Sequence, residues 1–152
     1  MPPIVETIEI ARPPEEVFPY VTDPTRFGEW QNSVVRGSVV GSGPPAIGTR
    51  CTTTRQIGGS ERTSTQEITE VSPPRRWAMK GVDGPIRANV GVSIEPIDEG
   101  RGSRVTISLE FAGHGLVGRT IAPVVRREAA KEAHNSCLAL KERLERGAQT
   151  PA

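Results

Sequence analysis

From Leu116 onward the chain changes period. The run LVGRTIAPVVRREAAKEAHNSCLALKERLE places Ala129, Ala133, Cys137, Leu140 and Leu144 at three- and four-residue steps, the spacing of one face of an α-helix. At 3.6 residues per turn the run makes about eight turns, with Pro123 expected to kink it or to start its main part. No earlier segment is long enough to be a second such helix. Everything upstream must therefore be covered by this one element. Its covering face is apolar but mostly small, so the helix either lies close to its neighbour or leaves room beside it.

The upstream sequence reads as strands and turns. In IVETIEI, Ile4, Ile8 and Ile10 share one side, with Glu6 on that same parity, a strand with an imperfect apolar face. Pro14 suits the first turn of a short helix, where its missing N–H is no loss. Glu15 and Glu16 follow where the helix dipole favours acids, and Val17, Phe18 and Val21 form the buried side. Asp23 or Thr22 caps a second short turn in DPTRFGEW. Six further strands follow: SVVRGSVVG, TRCTTTRQI, RTSTQEITEV, RWAMKGV, IRANVGVSIEPI and SRVTISLEF, separated by SGPPAIG, GGS, SPPRR, DGP and DEGRG. Such sequential hairpins imply antiparallel pairing.

Net charge is +1, from 19 basic and 18 acidic residues, which leaves no electrostatic footprint for nucleic acid. There is no run of membrane-spanning length and no basic-then-apolar leader pattern, so a cytoplasmic protein without stable membrane insertion is expected. Cys51 and Cys137 are far apart and lack CxxC spacing, and His114 and His134 lack an HExxH pattern. No metal and no cofactor is expected. Residues 1–146 read as one domain and 147–152 as a flexible tail, with the chain a monomer or a weak homodimer.

The element order, with IEIARPPEEVFPYVTDPTRFGEW at the start, EITEVSPPRRW in the middle, GSRVTISLEF near the last strand and LALKERLE at the end, resembles the START-like (SRPBCC) superfamily. It looks closest to the polyketide cyclase/dehydrase and lipid-transport group. The resemblance implies an α+β helix-grip fold: a curved antiparallel seven-stranded sheet wrapped around a long C-terminal helix, with two short helices after strand 1. It also implies a cavity between sheet and helix that binds, sequesters or transports a small hydrophobic molecule, a lipid or a polyketide-like compound. The alternative is a cyclase or dehydratase acting in the same cavity; a regulatory module acting through a protein partner is a third reading. The quoted motifs mark the fold and none is catalytic.

On the resemblance, Phe27 and Trp30 close one opening of the cavity. Strand parity adds Trp77 and Met79, then Val90 and Val92 beside Ala88 and Ile94, and Leu109 and Phe111 beside Val105 and Ile107. Cys51 stands in a small row with Thr49 and Thr53, and the helix supplies Val125, Ala129 and Ala133. Each of these serves equally as ordinary core; together, opposite an alanine-rich helix, they suggest a pocket. For acid–base chemistry the candidates are His134, near the edge of the helix's apolar face, and Tyr20, the only tyrosine. With two Trp, one Tyr and three Phe, the chain has few rings to stack on a polyketide, which favours binding without turnover.

Overall fold

The strand segments pair in the order that their hairpins dictate, and the first strand then joins the last. The structure is a computed structural model describing residues 2–147, so the tail expected over 147–152 lies outside the described residues except for Gly147. The strands are β1 (Ile4–Ile10), β2 (Val34–Val39), β3 (Arg50–Ile57), β4 (Ser60–Ser72), β5 (Arg76–Gly81), β6 (Ile86–Ile97) and β7 (Gly102–Gly113). They form one sheet in the order β1-β7-β6-β5-β4-β3-β2, antiparallel throughout. The β1–β7 register sets Ile8 opposite Val105 and Ile4 opposite Leu109. Bulges interrupt β2 between Val34 and Arg36 and β4 between Ile68 and Glu70, devices that bend a strand and increase its twist.

Helix α1 (Pro14–Val21) starts after Pro13 and buries Pro14, Val17, Phe18 and Val21. The second short segment is a 3-10 helix, Pro24–Glu29, capped by Asp23, whose Oδ1 accepts from the Thr25 N–H at 3.0 Å and from Thr25 Oγ1 at 2.7 Å. It lies on β2 so closely that a Cβ on Gly37 would sit 2.2 Å from the Pro24 carbonyl oxygen. Helix α2 (Gly115–Gly147) carries Pro123 inside it without ending there. Its start docks on the β5–β6 turn through Gly118, where a Cβ would meet the Pro85 carbonyl oxygen at 2.3 Å.

The long helix sits off-centre. It packs mainly on β1 and β7, with a lighter contact to β6. Its C-terminal end is tied to the end of β1: Lys141 Nζ donates to the Glu9 carbonyl at 2.6 Å, and Arg12 Nε to the Leu144 carbonyl at 3.1 Å. Glu145 Oε2 accepts from the Ala11 N–H and from Lys141 Nζ, both at 2.8 Å. Burial alone would raise the Glu145 carboxyl, but the Lys141 and Ala11 hydrogen bonds outweigh it and hold the group below its ordinary value.

Two outcomes follow from these contacts. Gly37→Ala forces the Pro24 backbone away from β2 and is expected to cost about 2 kcal/mol in chemical denaturation. Glu145 has a depressed folded-state pKa, so its contribution is present above its unfolded value of about 4.5 and is lost as pH falls through the folded one. The melting-temperature gap between wild type and Glu145→Gln should therefore be open at pH 7 and close in acid.

Candidate functional site

On the concave face, burial falls steadily along the strands. Near α1 the inward side chains are sealed: Ile10, Ile94 and Val105 are almost fully buried, as is Leu140 on α2. Further along β7, Ile107 is 9% exposed, and beyond it Leu109 and Phe111 are only half-buried. Strand β6 repeats this, from buried Ile94 and Val92 to half-buried Val90 and Ala88. The register explains the match, since Val92 faces Ile107, Val90 faces Leu109 and Ala88 faces Phe111. On α2, Ser136 and Cys137 are buried, Ala133, Ala129 and Val125 are half-buried, and Ala122 and Gly118 are buried again at the docking point. Seven apolar side chains on two neighbouring strands and the facing helix thus keep contact with solvent although they lie on the inward faces: Ala88, Val90, Leu109, Phe111, Val125, Ala129 and Ala133.

The sealed end is built on aromatic rings. Phe27 stands edge-on to Trp30, with centroids 6.0 Å apart, and edge-on to Trp77 at 6.4 Å, the arrangement that ring quadrupoles favour. Trp77 pairs with Val92 and Met79 with Val90 across β5–β6. Phe27, Trp30, Trp77 and Met79 all belong to the buried core cluster. Phe27, within the 3-10 helix, and Trp30, at its C-terminal cap, are read from sequence as the closure of an opening; in the structure both pack into the core cluster.

Strands β3 and β4 present a polar wall. Thr53 Oγ1 donates to Gln66 Oε1 at 3.0 Å, and Gln66 Nε2 to Ser64 Oγ at 2.6 Å; Cys51 lies opposite Gln66. Beyond them a polar clasp spans from the sheet to α2. Glu132 accepts from the Ser33 N–H at 2.6 Å and from Ser33 Oγ at 2.9 Å. Arg55 donates to Ser33 Oγ and to Gln31 Oε1, both at 2.8 Å, and lies 3.8 Å from Glu132. Desolvation lowers the Arg55 pKa, and the Glu132 charge opposes that shift. The sequence reading missed this clasp, because four polar residues distributed over three segments carry no common spacing.

The two candidate acid–base groups lie away from the apolar face. Tyr20 donates to Glu29 Oε1 at 3.0 Å, under the Arg26 guanidinium, 5.6 Å from the ring centroid. Burial, the Glu29 hydrogen bond and its charge push this phenol up to about 12. His134 is solvent-exposed, with Nδ1 3.5 Å from Glu6 Oε2. Glu6, the acid on the apolar parity of β1, thereby joins His134 and the neighbouring Cys137. Burial, with a smaller push from Glu6, raises the Cys137 thiol to about 11, and burial also raises Cys51. Such thiols are poor nucleophiles at neutral pH.

Two surface grooves lie elsewhere. One of about 310 Å³ runs between α1, the 3-10 helix and the end of α2, past Arg12, Tyr20, Arg26 and Arg143. The other, about 550 Å³ and wide open, follows α2 past Pro123, Arg127 and Lys131. Neither includes the half-buried inward residues, so groove size does not mark the apolar site. Among the described residues no cluster of three or more His, Cys, Asp or Glu side chains is arranged to hold a metal ion. No helix there is long and apolar enough to cross a membrane.

The model of a family described as polyketide cyclase / dehydrase and lipid transport matches residues 1–145. The chain belongs to that family. In fold it is similar to the Zhui aromatase/cyclase of Streptomyces sp. R1128, with a TM-score of 0.79 at 12% identity over 95% of this chain and 93% of that one. A START superfamily protein from Mycobacterium smegmatis superposes with a TM-score of 0.76 at 15% identity over 95% and 97% of the two chains. The protein TTHA0849 from Thermus thermophilus gives 0.75 at 20% identity over 94% and 97%. These likenesses establish the helix-grip fold expected from the sequence. No curated protein matches the chain.

The half-buried face of this family member is either a cleft or core whose packing is loose. A substitution separates the two. In tightly packed core, added methylenes cost about 1–3 kcal/mol. Ala129→Leu is expected to change stability by less than about 0.5 kcal/mol, because leucine is nearly as good a helix former as alanine and position 129 is only half-buried. Urea denaturation of both proteins checks this.

Proposed function

We propose that this protein binds a small hydrophobic molecule, a lipid or a polyketide-like compound, between the concave face of its sheet and α2, for sequestration or transport. The observation that carries this reading is the row of inward apolar side chains left half-buried between two sealed ends. Leu109, Phe111 and Val90 on neighbouring strands, and Ala129, Ala133 and Val125 on α2, are all half-buried. An apolar surface that the chain does not cover for itself stays in contact with water, and each Å² removed by a ligand favours binding by about 25 cal/mol before the costs of association. The opposite wall, Thr53, Gln66 and Ser64, satisfies its own hydrogen bonds and so presents polarity without an unmet demand.

Binding is favoured over turnover by where the titratable groups stand. A general acid or base must reach the proton that it moves. Tyr20 is committed to Glu29 at the outer groove, and His134 faces solvent beside Glu6. The buried thiols are held protonated. A cytoplasmic setting fits this reading.

The test is native mass spectrometry of protein purified from its source organism, followed by extraction of any bound molecule. A stoichiometric hydrophobic adduct is expected, and Trp77→Ala, which opens the sealed end beneath Val92, is expected to lose most of it. An empty protein whose melting temperature is unmoved by a panel of fatty acids and aromatic ketones would overturn the reading.

A further inference from the structure

A buried indole brings a polar atom into the core, and its N–H ordinarily finds an acceptor there. Trp30 breaks that pattern. Its side chain is 6% exposed, and Nε1 has no hydrogen-bond partner, alone among the buried side-chain nitrogen and oxygen atoms of the described residues. Its ring contact is the edge-on Phe27, which in turn meets Trp77. The polar side chains of the β3–β4 wall and of the clasp are engaged with one another: Thr53 with Gln66, Gln66 with Ser64, and Arg55 with Ser33 and Gln31. The interior therefore holds one open donor. Trp77, next but one to Met79 along β5, links the ring cluster to the strand pair Met79–Val90, and Val90 is the first half-buried residue of the apolar face.

Resting on the interior-binding reading, we infer that Trp30 Nε1–H is the specificity contact of the site, donating to an acceptor oxygen on an otherwise apolar ligand. An indole N–H donates and cannot accept. The matching ligand group is a ketone, ester or hydroxyl oxygen, and a pure hydrocarbon of the same shape leaves the donor unmet. The ligand class narrows accordingly, from hydrophobic molecules in general to oxygenated ones whose oxygen is carried deep past Val90 and Met79. A lipid whose only polar group stays at the surface does not meet this requirement.

The test uses 1-tetralone and tetralin, which share a ring skeleton and differ by the ketone oxygen. Isothermal calorimetry on the wild type is expected to show tighter binding of tetralone. Trp30→Phe, which keeps an aromatic body, should weaken tetralone roughly tenfold and leave tetralin unchanged. Because Trp30→Phe can disturb the ring cluster, a second readout uses the wild type. The chain has two tryptophans, so a spectrum of protein with 15N-labelled indoles shows two side-chain signals, assigned with Trp77→Phe. The Trp30 indole proton should move downfield with tetralone and not with tetralin. Equal affinities for the two compounds, or binding that leaves the Trp30 signal in place, would overturn the inference while interior binding stood. If neither compound binds, the interior-binding reading fails for this class and the inference fails with it.

Discussion

A single helix must cover a sheet wider than itself, and the rest of the structure follows from how it does so. Helix α2 is seated mainly on β1 and β7, and Lys141, Arg12 and Glu145 tie its end to the end of β1. It cannot lie equally close to β3 and β4. On that side the connection is polar, through Glu132 to Ser33 and Arg55. Between the packed edge and the hydrogen-bonded one, the inward side chains of β6 and β7 nearest the start of α2 are only half-buried. The rings of Phe27, Trp30 and Trp77 seal one end of that face, while Val90, Leu109 and Phe111 stay half-buried opposite a helix of small side chains.

The two edges differ in what they tolerate. The β1–β7 edge is dense, with Val105 fully buried, and dense packing transmits any change in volume. The clasp depends on direction: Glu132 is held by a backbone N–H and a hydroxyl of one residue, and Arg55 fixes that hydroxyl from behind. Losing one partner leaves the others partly desolvated and unpaired, which costs more than the pair's net contribution. On the β2–β3 side the spacing between helix and sheet is thus set by a few polar atoms, while an apolar seam sets it at β1 and β7.

The same layout explains why the residues with the most obvious chemistry are not central. Tyr20 and His134 stood out in the sequence because each is rare and titratable, yet both lie where carboxylates are available, Glu29 for one and Glu6 for the other. Glu6 was legible only as a flaw in the apolar parity of β1. Its partner comes from a helix more than a hundred residues later, and no local pattern announces such a pairing.

Much of the architecture was legible because it is periodic. Two-residue alternation gave the seven strands, Gly- and Pro-rich turns gave their order, and the 3.6-residue period after Leu116 gave α2, while Pro14 and Pro24 marked the starts of the short helices. Parity likewise assigned Trp77, Met79, Val90, Val92, Leu109 and Phe111 to one face, because a strand's side chains alternate whatever it packs against. Tertiary structure alone decided that β1 pairs with β7, that α2 stands nearer one edge, that Phe27 and Trp30 are sealed while Leu109 and Phe111 are not, and that the Trp30 nitrogen lacks a partner. Periodicity reports which way a side chain points. How far the opposite surface stands from it depends on contacts between residues distant in the chain, and those are set only when the whole sheet closes around the helix.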